Sequence, residues 1–352
     1  MLLHINMNVH WKRTDMKNQN QILLNHGSGG KLSHNLISGL ILNYFKNAEL
    51  RKLNDAARLD FPGKTLVFTT DSYVVDPLFF PGGDIGKLAV YGTVNDIAMM
   101  GAEPLYLSVG FIIEEGFSLD DLELILSSMR NSAEEAKVQI VTGDTKVVPK
   151  GAADKIFINT AGVGIPLTEN TISGQNAQAG DKIIINGPLA EHGVTVMTRR
   201  NNLQLDLELM TDAAPLNHMI KNLLEKIPEI HAMRDPTRGG VATTLNEIAG
   251  QSGVGIKLFE KSIPVLPQVN AVCEILGLDP LYIANEGKVL VFTPEKYAQT
   301  VLEVMRTNPY GQKACIIGEV LDEPRKKVYL ETEIGGKRII DMLTGEQLPR
   351  IC

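Results

Sequence analysis

The sequence predicts an α+β protein of two domains, each a mixed sheet packed against helices. Three observations carry this expectation. Strand-like and helix-like stretches alternate along 352 residues, a length suited to about two domains. A polar, Gly/Asn-rich stretch at 168–180 breaks the alternation near its middle. Hairpin-like neighbours favour mixed or antiparallel pairing over a doubly wound parallel sheet. The expected organisation is an unstructured extension at 1–20, an N-terminal domain at 21–167, a C-terminal domain at 178–344 and a mobile tail at 345–352.

The elements follow in chain order. Residues 66–70 and 72–77 are rich in Val, Phe and Tyr and are expected to be extended. Residues 85–100 are small, apolar and helical in pattern, with strand returning at 105–113. Ser118, with Asp121 three residues on, has the spacing of a capping box. The helix it opens repeats Leu122, Ile125, Leu126, Met129, Ala133 and Ala136 at helical period. Strands are expected at 138–142 and 155–162, then in the second half at 182–186, 254–259, 288–292, 314–320 and 327–331. Helices are expected at 237–251, 269–276 and 295–306.

Composition narrows the function. Apolar residues make up 44% and charged residues 21% of the chain, and formal charge is −7. That acidic balance, without a Lys/Arg block, argues against a nucleic-acid groove or a membrane-surface patch. No apolar run approaches the roughly 20 residues of a membrane span. Three cysteines, Cys273, Cys315 and Cys352, make no disulfide framework and no CxxC pair. A reducing compartment, the cytoplasm, is the expectation.

Several short motifs can carry chemistry. His26-Gly27-Ser28-Gly29-Gly30-Lys31 is a glycine turn closed by a lysine, either a phosphate cradle or a plain flexible turn; the Walker spacing is absent. Asp71 is expected to close a strand. Gly82-Gly83 leads into a helix whose start is a natural anion site, with Lys87 one turn in and Asp84 in the position of an N-cap. Asp96, beside Asn95, is an acid on an otherwise apolar helix and needs a partner. Gly143-Asp144, ahead of Lys146, is expected to form a turn at a strand end. Asp235 opens Asp-Pro-Thr-Arg-Gly-Gly, and Glu286 lies within Asn-Glu-Gly-Lys. Four aspartates beside glycines and lysines suit a hard cation bridging to phosphates, an Mg-nucleotide site without a P-loop. The alternative is an acidic protein with solvated turns. Cys352, the last residue of the sequence, suits a carrier nucleophile on a swinging arm. Cys273 and Cys315 suit inert core positions.

These motifs together resemble one family. HGSGGK (26–31), DSYVVDPLFFPGGDIG (71–86), TGDTKV (142–147), DPTRGG (235–240), NEGK (285–288) and the closing PRIC are similar to the HypE hydrogenase maturation factors, the carbamoyl dehydratases, over nearly the whole chain. The resemblance implies a PurM-like (aminoimidazole ribonucleotide synthetase-like) fold. It implies a homodimer joined through N-terminal sheets, with ATP and Mg²⁺ bound near that interface. A carbamoyl group delivered by HypF would ride on Cys352 and be dehydrated to a thiocyanate. Its cyanide would pass to the HypC–HypD complex for the iron centre of [NiFe]-hydrogenase. On this resemblance Asp71, Asp96, Asp144 and Asp235 would hold Mg²⁺. Gly29, Gly30, Lys31, Gly82, Gly83, Lys87 and Asn95, with Asp71 and Asp144, would contact the nucleotide. Lys146 and Glu286 would polarise the carbonyl and take the proton, with His26 in reserve. Two alternatives stand beside this reading: a selenophosphate synthetase-like enzyme, although Ser28 occupies the position where those enzymes typically carry Cys or selenocysteine, and a non-catalytic thiol carrier.

Overall fold

The structure is a computed structural model that describes residues 21–27, 31–45, 47, 51, 59, 61–201, 209–343, 348 and 350–352. The expected extension at 1–20 lies outside the described residues.

The first half begins with α1 (Lys31–Leu36), a π-helical turn (Ile37–Ile41) and α2 (Leu42–Phe45). Its sheet is built from β1 (Val67–Tyr73), β4 (Ala102–Glu114), β5 (Gln139–Val148) and β6 (Ile156–Pro166). A two-residue ribbon, β2 (Phe79–Phe80) with β3 (Gly83–Asp84), precedes α3 (Ile85–Met99), and α4 (Leu119–Ala136) follows β4. The strand order is β1-β6-β4-β5, with only β4 and β5 parallel. Both helices start where side chains satisfy the free N–H groups. Asp84 accepts from Gly86 N at 2.7 Å and Lys87 N at 3.1 Å, and Ser118 accepts from Asp121 N at 3.3 Å. α3 has buried side chains nearly all round because it lies between the sheet, α4 and the second half.

The second half holds a seven-stranded sheet. In chain order its elements are β7 (Asp181–Ile185), α5 (Glu191–Arg200), α6 (Asn217–Lys226), β8 (Ala232–Arg234), α7 (Gly240–Ser252), β9 (Gly255–Phe259), α8 (Pro267–Leu276), β10 (Leu290–Pro294), α9 (Glu295–Arg306), β11 (Cys315–Leu321), β12 (Val328–Glu331) and β13 (Lys337–Ile339). The strand order is β13-β12-β9-β11-β7-β10-β8, with only β12 and β9 parallel. The expectation of mixed sheets packed with helices therefore holds.

Two expectations fail for physical reasons. Gly143-Asp144 is not a turn; both residues lie inside β5, paired with Val109 and Gly110 of β4. A Cβ at Gly143 would sit 2.5 Å from the Val109 carbonyl oxygen, so this glycine permits close strand approach, not chain reversal. Residues 187–231, for which the sequence suggested no helix, contain α5 and α6.

The halves meet along α3. Asn95, 1% exposed, accepts from Leu216 N at 2.9 Å and donates to the Ala214 carbonyl at 3.0 Å. Farther along the seam, Glu135 receives hydrogen bonds from Tyr91, on its own half, and from Tyr310, on the other.

Candidate active site

The strand β1 alternates strictly. Val67, Thr69, Asp71 and Tyr73 turn toward α3, and Phe68, Thr70 and Ser72 turn outward. Asp71 thereby faces Asp96 on α3, whose Oδ2 accepts from Thr69 Oγ1 at 2.9 Å. Asp235, just beyond β8, brings a third carboxylate from the other half. Burial, with the charges of Asp235 and Asp71 added, pushes the Asp96 pKa up to about 7. Burial likewise raises Asp235, and Asp71 adds to the effect. Carboxylates held this way are short of positive charge.

Glu286 completes the acidic group. Its segment wraps around a residue that sequence reasoning passed over, Asp212. A Cβ at Gly287 would lie 1.8 Å from the Asp212 carbonyl oxygen, so only glycine fits there. The Asp212 carboxylate accepts from Glu286 N at 3.2 Å and Gly287 N at 3.3 Å, and pairs with Lys288 Nζ at 3.0 Å. Lys288 also pairs with Glu191 at 3.2 Å. Burial works against both charges, yet Asp212 stays below and Lys288 above its ordinary pKa, because each neutralises the other. Glu286 has no such partner. It is 4% exposed, its Oε1 has no hydrogen bond, and burial, then Asp212, Asp235, Asp71 and Asp96, drive its pKa well up.

The chain end is docked against this group. Arg350 and Cys352 offer their carbonyls to Asp76 N at 3.2 Å and Val74 N at 3.0 Å, extending the backbone that follows β1. The Arg350 guanidinium donates to the Val74 carbonyl at 2.8 Å and pairs with Asp154. Arg200 donates to the Asp76 carbonyl and to the Arg350 carbonyl, both at 2.7 Å. Ile351 is 3% exposed and belongs to the first half's core. Half-buried Cys352 has its thiol pKa raised by burial, then by Glu286 and Asp71, against the opposing charge of Arg238. The expected swinging arm is thus docked inward here, its sulfur within electrostatic reach of Glu286 and Asp71.

The remaining candidates stand elsewhere. Lys87 donates to the Gly82 carbonyl at 2.8 Å and borders a groove of about 440 Å³ with Gly83, Tyr91, Ser128 and Glu135. Asp144 and Lys146 form an exposed pair at 2.7 Å. Their register partners, Gly110 and Ile112, put them on the outer sheet face, away from α3. One chain therefore does not bring them to the other carboxylates. His26 is buried, and its Nδ1 accepts from Leu23 N at 2.9 Å, which ties it to its own turn. Asn95 spends its amide on the seam. Gly29, Gly30 and the Lys31 side chain lie outside the described residues.

Among the described residues no three His, Cys, Asp or Glu side chains converge in metal-binding geometry. The donor chemistry of Asp71, Asp96 and Asp235 nevertheless fits a hard divalent cation, which would relieve the charge that burial penalises.

Comparison with known proteins now bears on the site. The models of the AIR synthase related protein N-terminal and C-terminal domains match residues 53–166 and 178–331. Carbamoyl dehydratase HypE of Cupriavidus necator is 51% identical over 333 residues, covering 94% of this chain and 95% of that protein. The chain belongs to the HypE family. A crystal structure of the hydrogenase maturation protein HypE in complex with ATP superposes with a TM-score of 0.91 at 52% identity, covering 94% of this chain and 99% of that one. HypE in a HypE–HypF complex superposes with a TM-score of 0.78 at 49% identity, covering 88% and 99%. The PurM-like fold expected from the resemblance is thus the fold of this HypE family member.

Sequence reasoning missed Glu191, His192, Arg200 and Asp212. All four meet backbone or charges far away in sequence and carry no local signature.

Proposed function

We propose that the chain dehydrates a carbamoyl group carried on its own Cys352, consuming ATP and leaving a thiocyanate whose cyanide serves [NiFe]-hydrogenase maturation. The observation that carries this is the docked tail, held by hydrogen bonds to the backbone at 74 and 76, which leaves the half-buried sulfur within electrostatic reach of Glu286 and Asp71. Family membership supports it, as does the ATP-bound HypE relative.

In the net reaction R–S–C(=O)–NH₂ and ATP give R–S–C≡N, ADP and phosphate. ATP with Mg²⁺ would supply the phosphoryl group that the carbonyl oxygen accepts, turning that oxygen into a good leaving group, and Mg²⁺ would screen the phosphate charge. The chain does the rest. Asp71, Asp96 and Asp235 would hold the cation. Gly82, Gly83 and Lys87, with Gly29, Gly30 and Lys31, would receive phosphate oxygens. The backbone from Val74 to Asp76 fixes the tail so that the reacting group stays in place. Glu286 is the group we assign to the amide protons. A carboxylate with a raised pKa and no fixed partner accepts a proton readily once it is ionised.

Asp144 and Lys146 enter this reading only through a second copy. The outer sheet face exposes Leu66, Phe68 and Ile112, and a homodimer through it would cover them. We place ATP binding in the domain at 21–167, near that interface. The HypE–HypF complex supports carbamoyl delivery by HypF, and the HypC–HypD complex is the proposed cyanide acceptor. Among the described residues no helix is long and apolar enough to cross a membrane, and we assign the protein to the cytoplasm.

The test is the intact mass of S-carbamoylated protein before and after ATP. Loss of one water from the peptide ending in Cys352 is expected. Cys352→Ala should bind ATP normally and form no product. ATP consumption without that mass change would refute the assignment.

A further inference from the structure

His192 is a buried titratable residue that the proposed reaction does not use. It is fully buried on α5, with its ring set edge-on to Phe80 at 5.5 Å between centroids. Its two nitrogens have different partners. Nε2 lies 2.8 Å from the Ile351 carbonyl oxygen, and Nδ1 lies 2.8 Å from Thr211 Oγ1.

The proton positions follow from the partners. A carbonyl oxygen only accepts, so Nε2 carries the proton. In the neutral ring Nδ1 is then an acceptor and takes the Thr211 hydroxyl proton. The Thr211 hydroxyl has its own proton to donate, and its oxygen accepts from Ala213 N at 3.2 Å. The relay therefore runs one way: Ala213 N–H to Thr211, Thr211 to His192, His192 to Ile351. Burial lowers the His192 pKa and agrees with a neutral ring.

The tail shows why this bond matters. The carbonyls of Arg350 and Cys352 point to the backbone at 74–76. The carbonyl between them, on Ile351, points the other way, as alternation in extended chain requires. His192 is the donor that meets it. Three successive carbonyls are thus pinned from two sides, and the sulfur is one residue beyond the central pin. Thr211 also donates its N–H to the Pro81 carbonyl at 3.0 Å, next to the Gly82-Gly83 turn. The relay is therefore built against the segment assigned to phosphate.

We propose that His192 is a positioning residue for the reaction: through its Nε2–H bond to the Ile351 carbonyl it sets where the Cys352 sulfur stands, with Thr211 locking its tautomer. This rests on the carrier reading of Cys352 for its purpose, but not for its geometry.

The test follows the thiol itself. The full-length protein, without nucleotide, is treated with iodoacetamide, and labelling of Cys352 and of buried Cys273 is followed by peptide mass. His192→Phe keeps the ring and its packing on Phe80 but removes both hydrogen bonds. Cys352 labelling should accelerate about tenfold, the effect of leaving one buried carbonyl unpaired, while Cys273 stays protected. His192→Gln restores an N–H at similar reach and should return the rate to within about twofold of the parent. Thr211→Val, which releases the tautomer, should give an intermediate rate. In single turnovers of carbamoylated protein, His192→Phe should lower the maximal rate constant with the half-saturating ATP concentration unchanged. Parent-like labelling of Cys352 in His192→Phe, or equal rates in the Phe and Gln variants, overturns the proposal. If His192→Phe exposes Cys273, Thr211→Val decides, and a parent rate there overturns it too. Labelling that behaves as expected, in a protein that loses no water with ATP, would leave the positioning role standing and remove the dehydratase reading.

Discussion

Replacing Asp96 with Asn tests whether the buried carboxylates are a metal site at the expense of stability. In the folded chain the Asp96 pKa is raised from 3.8 to about 7. An acid whose folded pKa lies above its unfolded value binds protons more tightly when folded. Its ionisation therefore destabilises the fold as pH rises from about 4 to about 7, and above that the loss is complete. Roughly three pH units at 1.36 kcal/mol each give about 4 kcal/mol at pH 8, most of it from burial and part from the charges of Asp235 and Asp71. Asn has the same shape and no such cost. In EDTA at pH 8, Asp96→Asn should be the more stable protein, by up to about 4 kcal/mol, and the two proteins should converge near pH 4. Excess Mg²⁺ should stabilise the parent at pH 8 and leave the variant nearly unmoved. Urea unfolding at several pH values, with and without Mg²⁺, measures each arm. A variant with the parent's pH slope, or a parent indifferent to Mg²⁺, would refute the reasoning.

Two substitutions probe the scaffold behind the site. Gly143→Ala pushes a methyl group against the Val109 carbonyl and should cost roughly 2 kcal/mol in urea unfolding by overpacking; an unchanged midpoint would mean that β4 and β5 separate freely. Lys288→Met leaves buried Asp212 and half-buried Glu191 without their cation and should destabilise by about 3–5 kcal/mol at neutral pH, with part of the loss recovered in Asp212→Asn/Lys288→Met. No recovery in the double variant would show that the lysine stem, not its charge, matters there.

How much was legible depended on distance along the chain. Asp84 and Ser118 were readable as caps because a cap and its helix are neighbours. The helices of clear apolar period were readable for the same reason. The approach of Asp71, Asp96 and Asp235 could be suspected because Asp96 is an acid on an apolar helix and needs a partner, although nothing local says what it faces. Asp144 shows the limit: Gly-Asp is a common turn pair, and only the neighbouring strand reveals that the glycine is there for clearance. Asp212, His192 and Arg200 were out of reach. Their partners are Lys288, Ile351 and the backbone carbonyls at 76 and 350, all far away in sequence; Lys288 lies in the same half as Asp212, and the others come from the first half and the tail.

The acidic surroundings of the parked sulfur have a consequence for wear. Peroxides and other electrophiles react with thiolate, and a thiol whose pKa is raised by burial and then by nearby carboxylates yields little of it. In the proposed reaction an unloaded Cys352 at rest would be chemically quiet. Its exposure to oxidative damage would be confined to the intervals spent undocked for reloading.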